Sequence, residues 1–143
     1  MKASRFLLIA LVAAAPAFAQ PAMPATADAL QALRAAGYSD VREIEFDDGL
    51  WEAEVRRDNG RWGEVKVDPA TGEVFDPIAN RPVLELSAVL AAVEAAGYQR
   101  VHDIDREGAL WEADAYDAGG MQVELRISAY DGRIVSVRPD QDD

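Results

Sequence analysis

A single histidine and no cysteine limit the chemistry this chain can perform. His102 is followed by Asp103, and a carboxylate beside an imidazole is the usual way to orient a general base. On a regular strand, however, adjacent side chains point to opposite faces. The pair therefore reads as an exposed surface histidine next to an acid. Serines are few, and none lies in the Gly-x-Ser-x-Gly turn that raises a nucleophile. Acid pairs are frequent, as chance alone provides when 26 of 143 residues are Asp or Glu. The inventory offers no catalytic residues and no cofactor motif, so the expectation is a protein that is not an enzyme.

Metal ligation is the next chemistry to weigh. Asp103, Asp105, Glu107, Gly108 and Asp114 fall on positions 1, 3, 5, 6 and 12 of an EF-hand-like spacing. That loop needs Asp or Asn at its fifth position, a bidentate Glu at its twelfth, and a helix on each side. Here Glu and Asp occupy those positions, and the flanks alternate like strands. A turn at Arg106-Glu107-Gly108 explains the pattern, and no metal site is assigned.

The remaining candidates lie on strand faces. Glu52, Glu54 and Glu64 alternate with apolar residues, as do Glu112, Asp114 and Glu124 sixty residues later. Side by side they would form an acidic surface able to steer a cationic partner. Lys66 and Arg126 stand where cross-strand pairing would neutralise part of it. Trp62 shares the wet face with Glu64 and Lys66, and its counterpart is Gln122. An unrepeated aromatic there is either a contact between repeats, the expectation favoured here, or a binding hot spot. Gly63 beside it leaves backbone uncovered.

These residues are positioned by a duplicated unit. Residues 28–76 and 88–136 align without a gap at 15 of 49 positions. Ala36-Gly37-Tyr38 returns as Ala96-Gly97-Tyr98, and Leu50-Trp51-Glu52-Ala53 as Leu110-Trp111-Glu112-Ala113. Each copy opens with an alanine-rich amphipathic run, with Thr26 or Ser87 as candidate N-cap and Gly37 or Gly97 as the C′ stop. Period-two segments follow, among them 50–57, 61–68 and 122–127, and they predict antiparallel strands with one buried face. Trp51 and Trp111 fall on that face. Asp58-Asn59-Gly60 predicts a tight hairpin with Asn59 and Gly60 at positive φ, and Asp117 to Gly120 its counterpart. The expected fold is α+β: two tandem repeats, each a helix on an antiparallel sheet of three to four strands. A unit of about 50 residues is marginal alone, so the two should pack together.

The ends carry different information. Lys2 and Arg5, the apolar run 6–15 and Ala17-Phe18-Ala19 predict a cleavable signal peptide over 1–19. The expected order is then a leader at 20–25, repeat 1 at 26–76, a linker at 77–86, repeat 2 at 87–138 and an acidic tail at 139–143. Cleavage after Ala19 removes Lys2 and Arg5 and takes the formal net charge from −12 to −14. Such acidity disfavours nucleic acid and anionic lipid as partners, and no membrane span is expected after cleavage.

The segment Val67-Asp-Pro-Ala-Thr-Gly-Glu-Val74, preceded by Gly49 to Val55 and by the Ala-Gly-Tyr helix end, resembles a PepSY domain. The second copy resembles the same pattern but departs from it at Ser128-Ala129-Tyr130-Asp131-Gly132. The resemblance implies a small exported or envelope module without shared catalytic residues, some members of which restrain peptidases. The resulting expectation is a periplasmic or secreted binding module that restrains a peptidase or docks a basic envelope protein through its sheet face. The alternative is an acidic, calcium-binding envelope protein.

Overall fold

Two alanine-rich helices begin the two halves of the computed structural model, which describes residues 24–140. The predicted signal peptide, most of the predicted leader and the end of the acidic tail lie outside those residues. Helix α1 spans Thr26–Ala35 and α2 spans Leu86–Ala95. Thr26 and Ser87 fall inside the helices. The N-cap residues are Ala25 and Glu85, and neither makes a side-chain cap. The predicted caps are thus corrected: each helix is held by its buried stripe, Ala29 with Leu33 and Val89 with Val93, as helices this short require. The C-terminal stops are as expected. Gly37 and Gly97 adopt φ of 98°, and the Tyr38 and Tyr98 N–H groups reach back to the carbonyls of Leu33 and Val93. These are Schellman caps.

After each helix comes a four-stranded antiparallel meander. The first sheet contains β1 (Val41–Asp47), β2 (Leu50–Arg56), β3 (Trp62–Val67) and β4 (Val74–Phe75). The second contains β5 (Gln99–Glu107), β6 (Leu110–Tyr116), β7 (Gln122–Ser128) and β8 (Ile134–Pro139). Alternation sets the faces as the sequence implies. Trp51, Ala53, Val55, Val65 and Val67 pack under α1 in one core, while Ala113, Ala115, Val123, Leu125 and Ile127 pack under α2 in another. The β2–β3 hairpin is a three-residue loop in which Gly60 alone has positive φ. Asn59 instead accepts the Arg61 N–H through its side chain.

The two units meet through a third cluster of Leu50, Phe75, Ala109 and Leu110, with Tyr130 and Val135 against it. The contact is reciprocal, like the isologous interface of a two-fold dimer. The β1–β2 tip lies on the second sheet, where a Cβ on Gly49 would come 2.5 Å from Ser136 Oγ. The β5–β6 tip lies against the first unit, where a Cβ on Gly108 would come 2.9 Å from Pro77. Phe75 stacks on Tyr130 with centroids 6.0 Å apart. Arg133 bridges to Asp68 and Glu73, each at 2.8 Å, and Arg126 reaches Asp48 at 3.2 Å.

The copies differ in their last strand. β8 pairs with β7 from Val123 to Ile127, whereas β4 pairs with β3 at Lys66 and Val67 alone. Asp76 causes the difference. Its side chain accepts the Ile78 N–H, its carbonyl accepts the Ala79 N–H, and Pro77 sits between. This Asx-Pro turn takes the chain off the sheet. Arg57 at 2.5 Å and the Tyr38 hydroxyl hold the same carboxylate.

Candidate functional site

The acids singled out on the wet faces are largely spoken for. Glu52 and Lys66 are cross-strand partners and pair at 2.8 Å, while Glu112 faces Arg126 at 3.4 Å. Glu54 pairs with Arg42, and Glu124 with Arg138, each at 2.5 Å. Burial, together with Glu124 close by, raises the carboxyl of Glu112 against the pull of Arg126. Arg126 and Arg138 also hold Asp48 from the other unit. The common acidic surface therefore resolves into a network of ion pairs, much of which ties the repeats together. Glu64 and Asp114 are the exceptions: among the described residues neither forms an ion pair, and Glu64 is exposed.

Trp62 lies two residues from Glu64 on the same strand. It is 39 % exposed, and Arg42 from its own sheet stacks on the ring at 4.5 Å. Trp62 is not among the residues of the cluster between the repeats. Phe75, Leu50, Leu110 and Tyr130 make that seal instead.

The edge of β3 beside Trp62 is the other distinctive feature. Because β4 stops at Phe75, β3 has no strand neighbour outside Trp62 to Val65 among the described residues. On the helix side of this edge, Arg57 takes the place of a side chain on Gly63, its Nε 2.5 Å from where a Cβ would stand. The same guanidinium points Nη2 at the Glu64 carbonyl from 3.4 Å. A cavity of about 430 Å³ opens there, lined by Tyr38, Arg57, Asn59, Asp76 and Ile78. On the opposite face lies one of about 170 Å³, between Glu64, Lys66, Phe75, Pro77 and Leu110. Tyr38, Arg57 and Asp76 were not legible as a set in the sequence, although the Asp76-Pro77 dipeptide signals the turn that creates the edge. Burial and the bond to Asp76 push the Tyr38 hydroxyl up to about 12. Burial opposes ionisation of Asp76, but Arg57 and Tyr38 outweigh it and lower its carboxyl.

The second sheet differs at the equivalent of Arg42. Strand β5 shifts register on both sides of His102, and Arg100 and Asp103 have φ of 51° and 46°. The bulges overturn the expectation of opposite faces, because they bring Asp103 to within 3.9 Å of His102 Nε2. Donor atoms of His102, Asp103 and Asp114 all lie within 4.8 Å of one another. Nδ1 sits 2.9 Å from the Arg100 carbonyl. As an N–H donating there, it leaves the Nε2 lone pair free. Burial raises the Asp114 carboxyl, and the nearby Asp140 adds to the effect. The EF-hand-like spacing is not a loop: it runs through β5 and β6, and Glu107 is engaged by Arg126 at 2.7 Å.

The peptidase propeptide and YPEB domain family matches residues 4–77, slightly more than half of the chain, including the first sheet and its open edge. Among solved structures, the YpmB protein from Bacillus subtilis is similar over 80 % of this chain and 95 % of its own, at 19 % identity and a TM-score of 0.33. No curated protein matches the chain. Among the described residues, no helix is long and apolar enough to cross a membrane.

Proposed function

The chain belongs to the peptidase propeptide and YPEB domain family, the PepSY domains, and on that premise we propose that it is a non-enzymatic, exported binding module. It docks a peptidase or a basic envelope protein through the first sheet. The observation that carries this reading is the exposed Trp62 beside Glu64, an exposed acid that pairs with no cation among the described residues, whereas Glu52 and Glu54 on the same face are paired. Binding energy in such surfaces concentrates in a few aromatic and charged anchors. Export rests on Lys2, Arg5, the apolar run after them and the Ala17-Phe18-Ala19 site.

The test is capture from an envelope extract at low salt with immobilised chain, in parallel with Trp62→Ala. The reading expects a protein retained by the wild type and lost with the variant. Equal retention by both, or none by either, counts against it.

A second reading, cation binding, is favoured by the three converging donors of His102, Asp103 and Asp114. One imidazole with two carboxylates suits zinc better than calcium. It expects a melting temperature raised by micromolar zinc in the wild type but not in His102→Ala. Unchanged melting would remove it.

A further inference from the structure

The internal duplication supplies a template for what the open edge of β3 lacks. In the second unit, the outer edge of β7 is filled by β8: Glu124 is paired with Arg138, and the Gln122 carbonyl accepts the Asp140 N–H at 3.1 Å. Their equivalents in β3 are Glu64 and Trp62. The backbone phase is the same. Arg57 N–H donates to the Arg61 carbonyl at 2.8 Å, so residues 63 and 65 bond to β2, while Trp62 and Glu64 aim their N–H and C=O groups away from it. Asp68 N–H on the Glu73 carbonyl fixes this phase from the other end. The residues that would have filled the slot, 78 and 80, are diverted by the Asp76-Pro77 turn.

We propose that the open edge of β3 at Trp62–Val65 takes up an extended segment of a partner protein as an added strand, with a basic side chain opposite Glu64. This rests on the docking reading above and names what docks. Charge on the page selects the occupant. Arg138 sits opposite Glu124 and pairs with it at 2.5 Å, whereas Glu64, in the same position, pairs with no cation among the described residues. Main-chain bonds to the Trp62 and Glu64 peptide groups supply affinity, and the cavities on the two faces receive alternate side chains. Arg57 holds the slot meanwhile, with its guanidinium over Gly63 and on the Glu64 carbonyl. An unpaired edge invites self-association. Here a short opening and the exposed acid favour a basic foreign strand over a second copy.

The probe is the heptapeptide Ile-Val-Ser-Val-Arg-Pro-Asp, β8 with the residue that follows it, with Arg→Glu as its control. The chain itself is followed by residue-resolved amide exchange. In the free chain, the amides of Trp62 and Glu64 should exchange much faster than those of Gly63 and Val65, which bond to β2. The peptide should slow both at least tenfold. Glu64→Lys should weaken the Arg peptide several-fold and strengthen the Glu peptide. The proposal is overturned if the peptide leaves both amides at their free rates, or if charge reversal on either side has no effect. Failure here is distinguishable from failure of the docking reading. Trp62-dependent capture of a partner that leaves these amides fast retains docking through the face and removes strand addition. Slowed amides without any Trp62-dependent partner do the reverse.

Discussion

Replacing Arg133 with alanine should loosen the joint between the repeats in a pH-dependent way. Arg133 donates to Asp68 and Glu73 across the interface, both at 2.8 Å. Asp68 is 1 % exposed and otherwise accepts the Ala70 N–H at 2.8 Å and the Thr71 hydroxyl at 2.9 Å. Removing one partner of a fully buried pair costs about 3–5 kcal/mol. Arg133 is 34 % exposed, so solvent screens it, and Asp68 keeps two donors. The expected loss falls to about 1–2 kcal/mol. At this chain length that lowers the melting temperature by roughly 3–10 °C. Burial acts to raise the Asp68 carboxyl, but the Ala70 N–H, Arg133 and Thr71 outweigh it and bring it below its ordinary value. A depressed carboxyl contributes stability that is present above its unfolded pKa, about 3.9, and is lost as pH falls through the folded one. The gap between wild type and Arg133→Ala should therefore be full at pH 7 and shrink below about pH 4. Melting curves at pH 7 and pH 3 provide the assay. A gap of the same size at both would show that Arg133 acts by packing alone, and the ion-pair reasoning would be refuted.

Leu110→Ala, at a residue 1 % exposed in the cluster between the repeats, should cost about 2–4 kcal/mol by urea denaturation. A change under 0.5 kcal/mol would contradict the packing of the two units. Trp62→Ala should cost under about 1 kcal/mol, because the ring is half-open and its partner Arg42 also has Glu54. A larger loss would mark Trp62 as structural. One tyrosine should ionise near pH 12 in an ultraviolet titration, and Tyr38→Phe should remove that step. The stability from Tyr38 is intact below about pH 10 and drains as pH rises through its folded value, since folding favours the protonated phenol.

Local pattern made much of this fold legible. The alternation around Trp51, Val55, Val65 and Leu125 placed both cores, and Gly37 and Gly97 marked both helix ends, because single-residue periodicity and positive φ are local properties. The helix starts were misplaced because Thr26 and Ser87 have the right chemistry for caps but are already within the first turn. What pattern could not convey was long-range. Arg126 meets Asp48, and Arg133 meets Asp68, only once the two units face each other. The candidate acids Glu52, Glu54, Glu112 and Glu124 instead pair within their own sheets. His102 and Asp103 were assigned to opposite faces on a regular strand, and two register shifts put them together. The edge of β3 was hidden because 73–75 and 133–137 look alike as strands. The Asp76-Pro77 turn separates their fates, and the duplicated unit that gives the chain its fold is interrupted there.

Docking at β3 is tested most directly by the exchange footprint of a captured partner on this chain. Slowed exchange centred on Trp62 and Glu64, with His102 to Asp117 unchanged, is the predicted result. A footprint on the second sheet that leaves Trp62 and Glu64 at their free rates would contradict it.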